Sequence, residues 1–190
     1  NPRGFGFVVP DETSTHGDLF IPPGANQDAI TGDQVLCQVV STGKRSGGRL
    51  RYEGKVVKVV ARGHSRFVGR LRQEGGLWFV RPDGNALHVP ILIGDVGAKG
   101  AKLGDQVVVE LVQYPLEGKP AKGVIVERLG KSGTAEVDLL SMIRQHHLPD
   151  VFPDAVLAET RARAAAFDPE AEAARREDLS DKLVITIDPD

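Results

Sequence analysis

Two phenylalanines, Phe5 and Phe7, alternate with glycines and follow Arg3 in the stretch RGFGFVVPD. Alternate residues of a β-strand project from the same face, so both rings would lie on one side of a sheet. Phe20, in the next β-type run, can extend the same surface. Exposed aromatic rings stack on nucleic-acid bases of any sequence, and a nearby arginine attracts phosphate. These residue types in this spacing therefore predict a surface that binds single-stranded nucleic acid.

The alternative is that the three rings belong to a hydrophobic core, as most phenylalanines on strands do. Other apolar residues of the same two runs can fill a core from the opposite strand faces, namely Val8, Leu19 and Ile21. Because these residues leave the phenylalanines free for the other side, we favour the surface interpretation.

The stretch STGKRSGGRLRYEG, residues 41–54, lies between two β-type runs and is rich in cations. Four basic residues precede its first acid, Glu53: Lys44, Arg45, Arg49 and Arg51. Small five-stranded OB barrels hold oligonucleotides with a loop at this position. Mobile Lys and Arg side chains would contact phosphates in a salt-dependent manner. A solvated loop without a ligand is the alternative.

An internal repeat indicates which elements must position these residues. The motif FVVPD at residues 7–11 recurs as FVRPD at 79–83, and GDQV at 32–35 recurs at 104–107, both at an offset of 72 residues. With a small gap, LFIP at 19–22 also pairs with LHVP at 87–90. Short β-type runs separated by Gly, Pro and Asp, used twice, predict two small barrels of the OB type.

The predicted barrels occupy residues 1–63 and 64–130. The second unit opens with a β-type run at 66–71, and its counterpart 72 residues earlier would fall before residue 1. The first unit is therefore expected to lack its first strand.

The second unit offers a weaker aromatic surface. Trp78 and Phe79 are adjacent, so their side chains face opposite ways and one of the two rings is expected in the core. We take Trp78 as the candidate for base contact. In the gapped pairing His88 stands where Phe20 stands and can stack on a base, although a surface histidine without a role is an equal alternative.

Three arginines alternate on the first predicted strand of the second unit: Arg66, Arg70 and Arg72. Alternation places them on one face, where they can line a track for a nucleic-acid backbone, with Arg70 at its centre.

The last third of the chain differs in composition. Residues 131–178 are predicted to form a helical connector, with one helix over about 154–166 and a second over about 170–177, after Pro169. A β-type run at 183–187 follows and leads into Asp188. Residues 179–190 are predicted to start a further domain.

Composition sets limits on the class of protein. The net charge is −2, but residues 1–63 and 64–130 each carry two more Lys and Arg than Asp and Glu, whereas residues 131–190 are acidic. A polyanion would therefore bind a local patch. No apolar run approaches the roughly 20 residues that span a bilayer. The single cysteine, Cys37, fits a reducing compartment, so we expect a cytoplasmic protein that does not bind membranes.

The motifs RGFGFV and DLFIP resemble the paired RNA-binding strands of cold-shock domains. Two such units followed by REDLSDKLVITIDPD are similar to the exoribonuclease II/ribonuclease R (RNB) family, over essentially all 190 residues. The resemblance implies a mainly β chain: two tandem cold-shock-like OB barrels, a short helical connector and the first strand of an α/β catalytic domain. It also implies binding and guidance of single-stranded RNA within a processive 3′-to-5′ exoribonuclease that releases nucleoside monophosphates.

In that family the catalytic domain opens with a motif of the form T-I-D-P-x-D-A-x-D-x-D-D, whose aspartates hold Mg²⁺. Asp188 maps onto the first of four such aspartates, and the other three would lie beyond residue 190. This chain alone is therefore expected to be inactive and to bind no cofactor. Read without the barrels, Asp188 would be an ordinary Asp-Pro turn after a strand.

Two other classes of function remain open. A non-enzymatic tandem cold-shock protein, acting as an RNA chaperone, would share the barrels and bind RNA without hydrolysing it. A protein-interaction module that docks through its acidic third segment would have no RNA affinity at moderate salt.

Overall fold

Short runs rich in β-branched residues, separated by Gly, Pro and Asp, form nine strands in the described part of the chain. A computed structural model describes residues 3–11, 17–42 and 52–186. The chain divides into two compact units, Asn1–Leu148 and Pro149–Asp190. The first unit contains both sheets, and the prediction of a mainly β chain with OB-type architecture is confirmed.

The first sheet has the order β1-β2-β4-β3. Its strands are β1 (Gly6–Val8), β2 (Leu19–Ile21), β3 (Gln34–Thr42) and β4 (Tyr52–Ala61). Strand β2 is parallel to β4, and the other pairs are antiparallel. Alternating apolar residues build a small core of Leu19, Ile21 and Val56. Cys37 packs against this core, and burial raises the pKa of its thiol.

The second sheet closes into a five-stranded barrel with the order β5-β6-β7-β9-β8. Its strands are β5 (Arg66–Glu74), β6 (Leu77–Pro82), β7 (Ile91–Ile93), β8 (Asp105–Gln113) and β9 (Ala121–Lys131). The inward residues form the larger core, in which six side chains have essentially zero exposure: Leu71, Val80, Ile91, Val107, Val109 and Ala121. Strand β5 closes this barrel by pairing with both β6 and β8. None of the four described strands of the first sheet is a counterpart of β5.

The 72-residue offset extends to the strand pairing. Phe7 lies opposite Phe20 in the first sheet, and Phe79 lies opposite Leu92 in the second. The structural counterpart of Phe20 is therefore Leu92. The gapped pairing of Phe20 with His88 is wrong, because the three-residue strand β7 begins at Ile91 and His88 lies in the loop before it.

The repeated GDQV motif has a structural role. Gly32 and Gly104 both adopt a left-handed backbone, with φ of 94° and 86°, which allows the tight turn before β3 and β8. The following aspartate closes each turn: Asp33 accepts the N–H of Ile30 at 3.0 Å, and Asp105 accepts the N–H of Lys102 at 2.9 Å. Each aspartate also pairs with an arginine. The motif therefore forms the same structural turn in both units and is not a ligand site.

Helix α1 (Ala135–Gln145) follows β9 and packs on the second barrel. Val137 and Ser141, four residues apart on one face, are buried, and the Arg144 Nε donates to Glu127 on β9 at 2.8 Å. The prediction of a helical connector over residues 131–178 named only the two later helices, so α1 was not specified.

The second compact unit contains helices α2 (Asp154–Ala165) and α3 (Pro169–Ala173). Helix α2 matches the predicted span to within one residue. Helix α3 starts at Pro169 as predicted, with the Asp168 carboxylate accepting the N–H groups of Glu170 and Ala171. It ends at Ala173, four residues before the predicted end, and none of its residues is buried.

The predicted strand at 183–187 is not formed over its described part, since residues 183–186 lie in no strand. Leu183, Val184 and Ile185 are exposed and have no partner strand in the described residues. A single strand without a partner is not stable, so apolar alternation alone does not produce one.

Candidate nucleic-acid interface

Three phenylalanine rings meet on the first sheet. The ring centroids of Phe5 and Phe7 are 6.0 Å apart, those of Phe5 and Phe20 5.7 Å, and those of Phe7 and Phe20 5.6 Å. The interplanar angles are 86°, 44° and 56°, so the rings contact one another edge-on or tilted rather than in parallel. We call these three residues the aromatic cluster.

The aromatic cluster lies on the face opposite the core. Leu19 and Ile21, which flank Phe20 on β2, are buried, and Val8 packs against the same core. Phe7 is 54% exposed, a large value for a phenylalanine in a strand. The prediction that the neighbouring aliphatic residues fill the core and leave the rings outside is therefore consistent with the geometry.

Charges of both signs border the aromatic cluster. Arg3 is exposed at the turn that leads into β1, and Gly4 in that turn has a φ of 79°. On the other side, Glu53 of β4 lies opposite Phe20. The predicted cationic loop residues Lys44, Arg45, Arg49 and Arg51, and also Asp188, lie outside the described residues.

A row of outward side chains crosses the equivalent face of the second barrel. Arg72 on β5 lies opposite Phe79 on β6, Phe79 lies opposite Leu92 on β7, and Leu92 lies opposite Lys122 on β9. Directly opposed residues share a sheet face, with Cβ atoms about 5 Å apart. Arg72 and Lys122 are exposed, so two cations flank two half-buried apolar side chains. Phe79, Leu92 and Lys122 were not among the predicted site residues; applying the constant 72-residue offset to Phe7 and Phe20 identifies the first two.

An apolar groove of about 630 Å³ lies beside this row. Its apolar walls come from β6, β7 with the segment before it, and the turn between β8 and β9: Leu77, Phe79, Val89, Pro90, Leu92, Pro115, Leu116 and Pro120. Glu74 and Lys119 also line it. The first sheet presents three phenylalanines where the second barrel presents a groove with one, Phe79, so the two faces are not equivalent surfaces.

The structure separates the two aromatic candidates of the second unit. Trp78 is half-buried and packs against the core cluster of the barrel, at the position that Gly6 occupies in the first sheet. Phe79 takes the outward position equivalent to Phe7. His88 is exposed in the loop between β6 and β7, away from the strand position predicted for it.

The three alternating arginines of β5 differ in their surroundings. Arg66 pairs with Glu110 at 2.8 Å. Arg70 is half-buried, and its Nε is buried without a hydrogen-bond partner among the described residues. Burial raises the pKa of the nearby Asp83, against the opposing effects of a hydrogen bond from Gln106 and the charge of Arg70. Arg72 is therefore the arginine of this strand best placed to meet a phosphate.

Metal-binding capacity is not found in the part of the chain that the structure describes. Over residues 3–11, 17–42 and 52–186, no group of three or more His, Cys, Asp or Glu side chains is placed to hold a metal ion. The same ranges contain no helix that is both long and apolar enough to span a bilayer.

Comparison with known proteins connects both sheets to one group of proteins. Residues 1–59 match the family model of the ribonuclease B OB domain, and residues 79–153 match the cold shock domain model. The chain is 32% identical over 192 residues to ribonuclease R of Acidithiobacillus ferrooxidans, covering 99% of this chain and 42% of that protein. It is 34% identical over 185 residues to ribonuclease R of Escherichia coli, covering 97% and 22%.

Solved structures agree at the level of the fold. The apo form of Mycoplasma genitalium RNase R matches with a TM-score of 0.68 at 16% identity, over 93% of this chain and 28% of that one. Its complex with ribose methylated single-stranded RNA matches with a TM-score of 0.64 at 15% identity, over 93% and 29%. The chain thus spans less than half the length of the relatives it matches. Over nearly its whole length, the chain is similar to proteins of the ribonuclease R family.

Proposed function

We propose that this chain binds single-stranded RNA and guides it, as one part of a processive exoribonuclease that degrades RNA from the 3′ end to nucleoside monophosphates. The observation that carries the proposal is the aromatic cluster of Phe5, Phe7 and Phe20 on the non-core face of an OB-type sheet, with Phe7 exposed and the other two rings half-buried. A relative with the same fold has been solved in complex with ribose methylated single-stranded RNA, which supports RNA as the ligand class.

Stacking supplies the base-contact part of the binding free energy. A base stacked on an aromatic side chain contributes about 1–3 kcal/mol, and the contribution tolerates any base. The tilted arrangement of the three rings leaves the exposed Phe7 as the main contact, with Phe5 and Phe20 supporting it from two sides. We therefore expect recognition of unpaired bases with little sequence preference.

Phosphate contact comes from cations that flank the apolar face of the second barrel. Arg72 and Lys122 lie at opposite ends of the row that contains Phe79 and Leu92. Each barrel segment has an excess of only two positive charges, so the affinity should be modest and should fall with salt. The cations of residues 44–51 would add phosphate contacts if they face the same strand of RNA.

Hydrolysis belongs to the proposal for the whole protein. By resemblance, Asp188 would be the first of several aspartates that hold Mg²⁺, and Mg²⁺ would stabilise the charge that develops on phosphate. The described residues provide no such site. By the same resemblance, the proposal gives RNA capture to this chain and hydrolysis to the aspartates of a longer parent protein, which we expect to be cytoplasmic.

The test is a titration of 3′-labelled single-stranded RNA of about 20 nucleotides with the 190-residue chain, followed by incubation with Mg²⁺. We expect salt-sensitive binding and no release of mononucleotides. Release of mononucleotides by this chain would contradict the assignment of catalysis elsewhere. Absence of binding at low salt would contradict RNA capture and favour a protein-interaction role. Binding by a full-length protein that cannot hydrolyse RNA would favour an RNA chaperone.

A further inference from the structure

Arg62, the first residue after β4, makes a set of contacts where the two barrels meet. Its Nη1 donates to the Asp33 carboxylate at 2.8 Å and to the Asp28 carbonyl oxygen at 2.9 Å. Its Nη2 donates to the Asp28 carboxylate. Both aspartates belong to the loop before β3, and the Asp33 side chain is fully buried. The guanidinium is thus fixed on the side of the first sheet.

The other face of the same guanidinium contacts the second barrel. The Arg62 Cζ lies 3.6 Å from the centroid of the Tyr114 ring, a close cation–π contact. Tyr114 follows β8 and packs against the core cluster of the second barrel. Its hydroxyl donates to the His64 carbonyl oxygen at 2.8 Å. The segment between β4 and β5, which connects the barrels, is therefore also bonded to Tyr114.

The surrounding packing leaves little room for the barrels to rotate. Ile30, from the loop that carries both aspartates, packs against the core cluster of the second barrel. Gly63 lies so close to Gly32 that a Cβ at position 63 would be 2.1 Å from the Gly32 oxygen. The Gly63 N–H also donates to Asp33 at 2.9 Å. Arg62 therefore lies at the centre of a junction made from both barrels and the segment between them.

The junction differs from the corresponding ion pair inside the second barrel. Asp105, the repeat counterpart of Asp33, pairs with Arg128 of β9 at 2.6 Å. Both partners belong to one barrel, so this pair stabilises a turn and spans no boundary. The two equivalent aspartates therefore differ in role: Asp105 stabilises a turn within the second barrel, whereas Asp33 holds the arginine that contacts the other barrel.

We propose that Arg62 is a positioning residue that holds the two barrels at one fixed orientation, so that their RNA-binding faces act as a single extended site. The inference rests on the proposed function. Two linked sites gain affinity for a ligand that reaches both, because the second contact is intramolecular. That gain is largest when the spacing is fixed in advance, since no orientational freedom is lost on binding.

The test combines orientation with the dependence of affinity on RNA length. Residual dipolar couplings of the 190-residue chain should fit one alignment tensor for both barrels in the wild type and two different tensors in Arg62→Ala. The affinity for a 16-nucleotide RNA should fall about tenfold in Arg62→Ala. This loss is smaller than the full gain in affinity that linking two binding sites can give. The affinity for a 4-nucleotide RNA, which one barrel can hold, should stay within twofold.

Arg128→Ala is the matched control, because it removes the same kind of ion pair within one barrel and should change neither the common tensor nor the length dependence. Tyr114→Leu removes the stacking partner while leaving Arg62 paired with Asp28 and Asp33, so it provides a second route if Arg62→Ala unfolds. A single tensor and an unchanged length dependence in the folded variants would overturn the inference. Failure of the wild type to bind any RNA would instead overturn the proposed function, while the alignment data would still test the junction.

Discussion

Phe7 on β1 lies directly opposite Phe20 on β2, with ring centroids 5.6 Å apart and on the face away from the core. The same pair of positions in the second barrel holds Phe79 and Leu92. One strand register thus produces an aromatic surface in the first sheet and an apolar groove in the second.

Replacing Phe7 should weaken RNA binding without unfolding the protein. Phe7→Ala removes an exposed ring, and the loss of one stacked base would cost about 1–3 kcal/mol, or about 5- to 150-fold in affinity. Fluorescence anisotropy with a labelled single-stranded RNA measures the change. Phe152→Ala, which removes a 70% exposed ring from the second compact unit, is the control and should have no effect. Equal affinities for both variants would refute the stacking role.

The cations of the second barrel should contribute to the salt dependence. If Arg72 and Lys122 each contact one phosphate, the double variant Arg72→Gln/Lys122→Gln should reduce the slope of log affinity against log salt by about 1.4. Titrations at four salt concentrations give the slope. Arg175→Gln, whose side chain is 76% exposed in the second compact unit, should leave it unchanged. A slope unaltered by the double variant would exclude these cations from the RNA path.

The turn aspartate Asp105 should make the protein less stable in acid. Burial tends to raise its pKa, but hydrogen bonds from Arg128 and the Lys102 N–H, with the charges of both side chains, bring the pKa below its ordinary value. A carboxylate with a depressed folded pKa stabilises the fold above its unfolded pKa of about 3.9. This contribution disappears as the pH falls through the folded pKa.

Asp105→Asn should therefore cost about 1–3 kcal/mol in free energy of unfolding at pH 6. The difference from the wild type should shrink as the pH falls below about 4, the unfolded pKa of an aspartate. Urea unfolding at a series of pH values measures both. A difference that stays constant over this range would mean that the ionised carboxylate is not the source of the stabilisation.

A methyl group at position 63 should disturb the junction between the barrels. In Gly63→Ala the new Cβ would lie 2.1 Å from the backbone oxygen of Gly32, so the backbone must shift, at a cost of about 1–3 kcal/mol. Gly94→Ala is the matched control, because no atom lies within 4 Å of a Cβ built there. Thermal unfolding should show a lower midpoint only for Gly63→Ala; equal midpoints would mean that the close approach is not maintained in solution.

The repeat predicted much of the fold because identical turn motifs impose identical geometry. GDQV places a left-handed glycine and a turn-closing aspartate in both units, and FV-x-PD marks β1 and β6. Residues 183–186, the described part of the predicted strand at 183–187, form no strand, because alternation alone does not supply the partner that a strand needs. Helix α1 was not specified, since its position depends on packing against the outer side of the barrel.

The site was predicted in part. A three-residue strand has too few residues for its sequence pattern to fix the register. The Leu-x-x-Pro similarity between 19–22 and 87–90 therefore led to the prediction that His88 is equivalent to Phe20, whereas the equivalent residue is Leu92. Adjacent Trp78 and Phe79 must face opposite ways, but which ring faces outward depends on register, and the structure turns Phe79 outward. The role of Arg62 depends on tertiary contact with Tyr114, which is 52 residues away in sequence.

The central claim is that RNA contacts the aromatic face of the first sheet. Ultraviolet cross-linking of a 4-thiouridine-containing single-stranded RNA to the 190-residue chain, with the modified peptides mapped by mass spectrometry, tests it most directly. We expect cross-links at Phe5, Phe7 or Phe20, which disappear when unlabelled RNA is added in excess. Cross-links confined to residues 149–186, with none in the peptides that carry the three phenylalanines, would contradict the account.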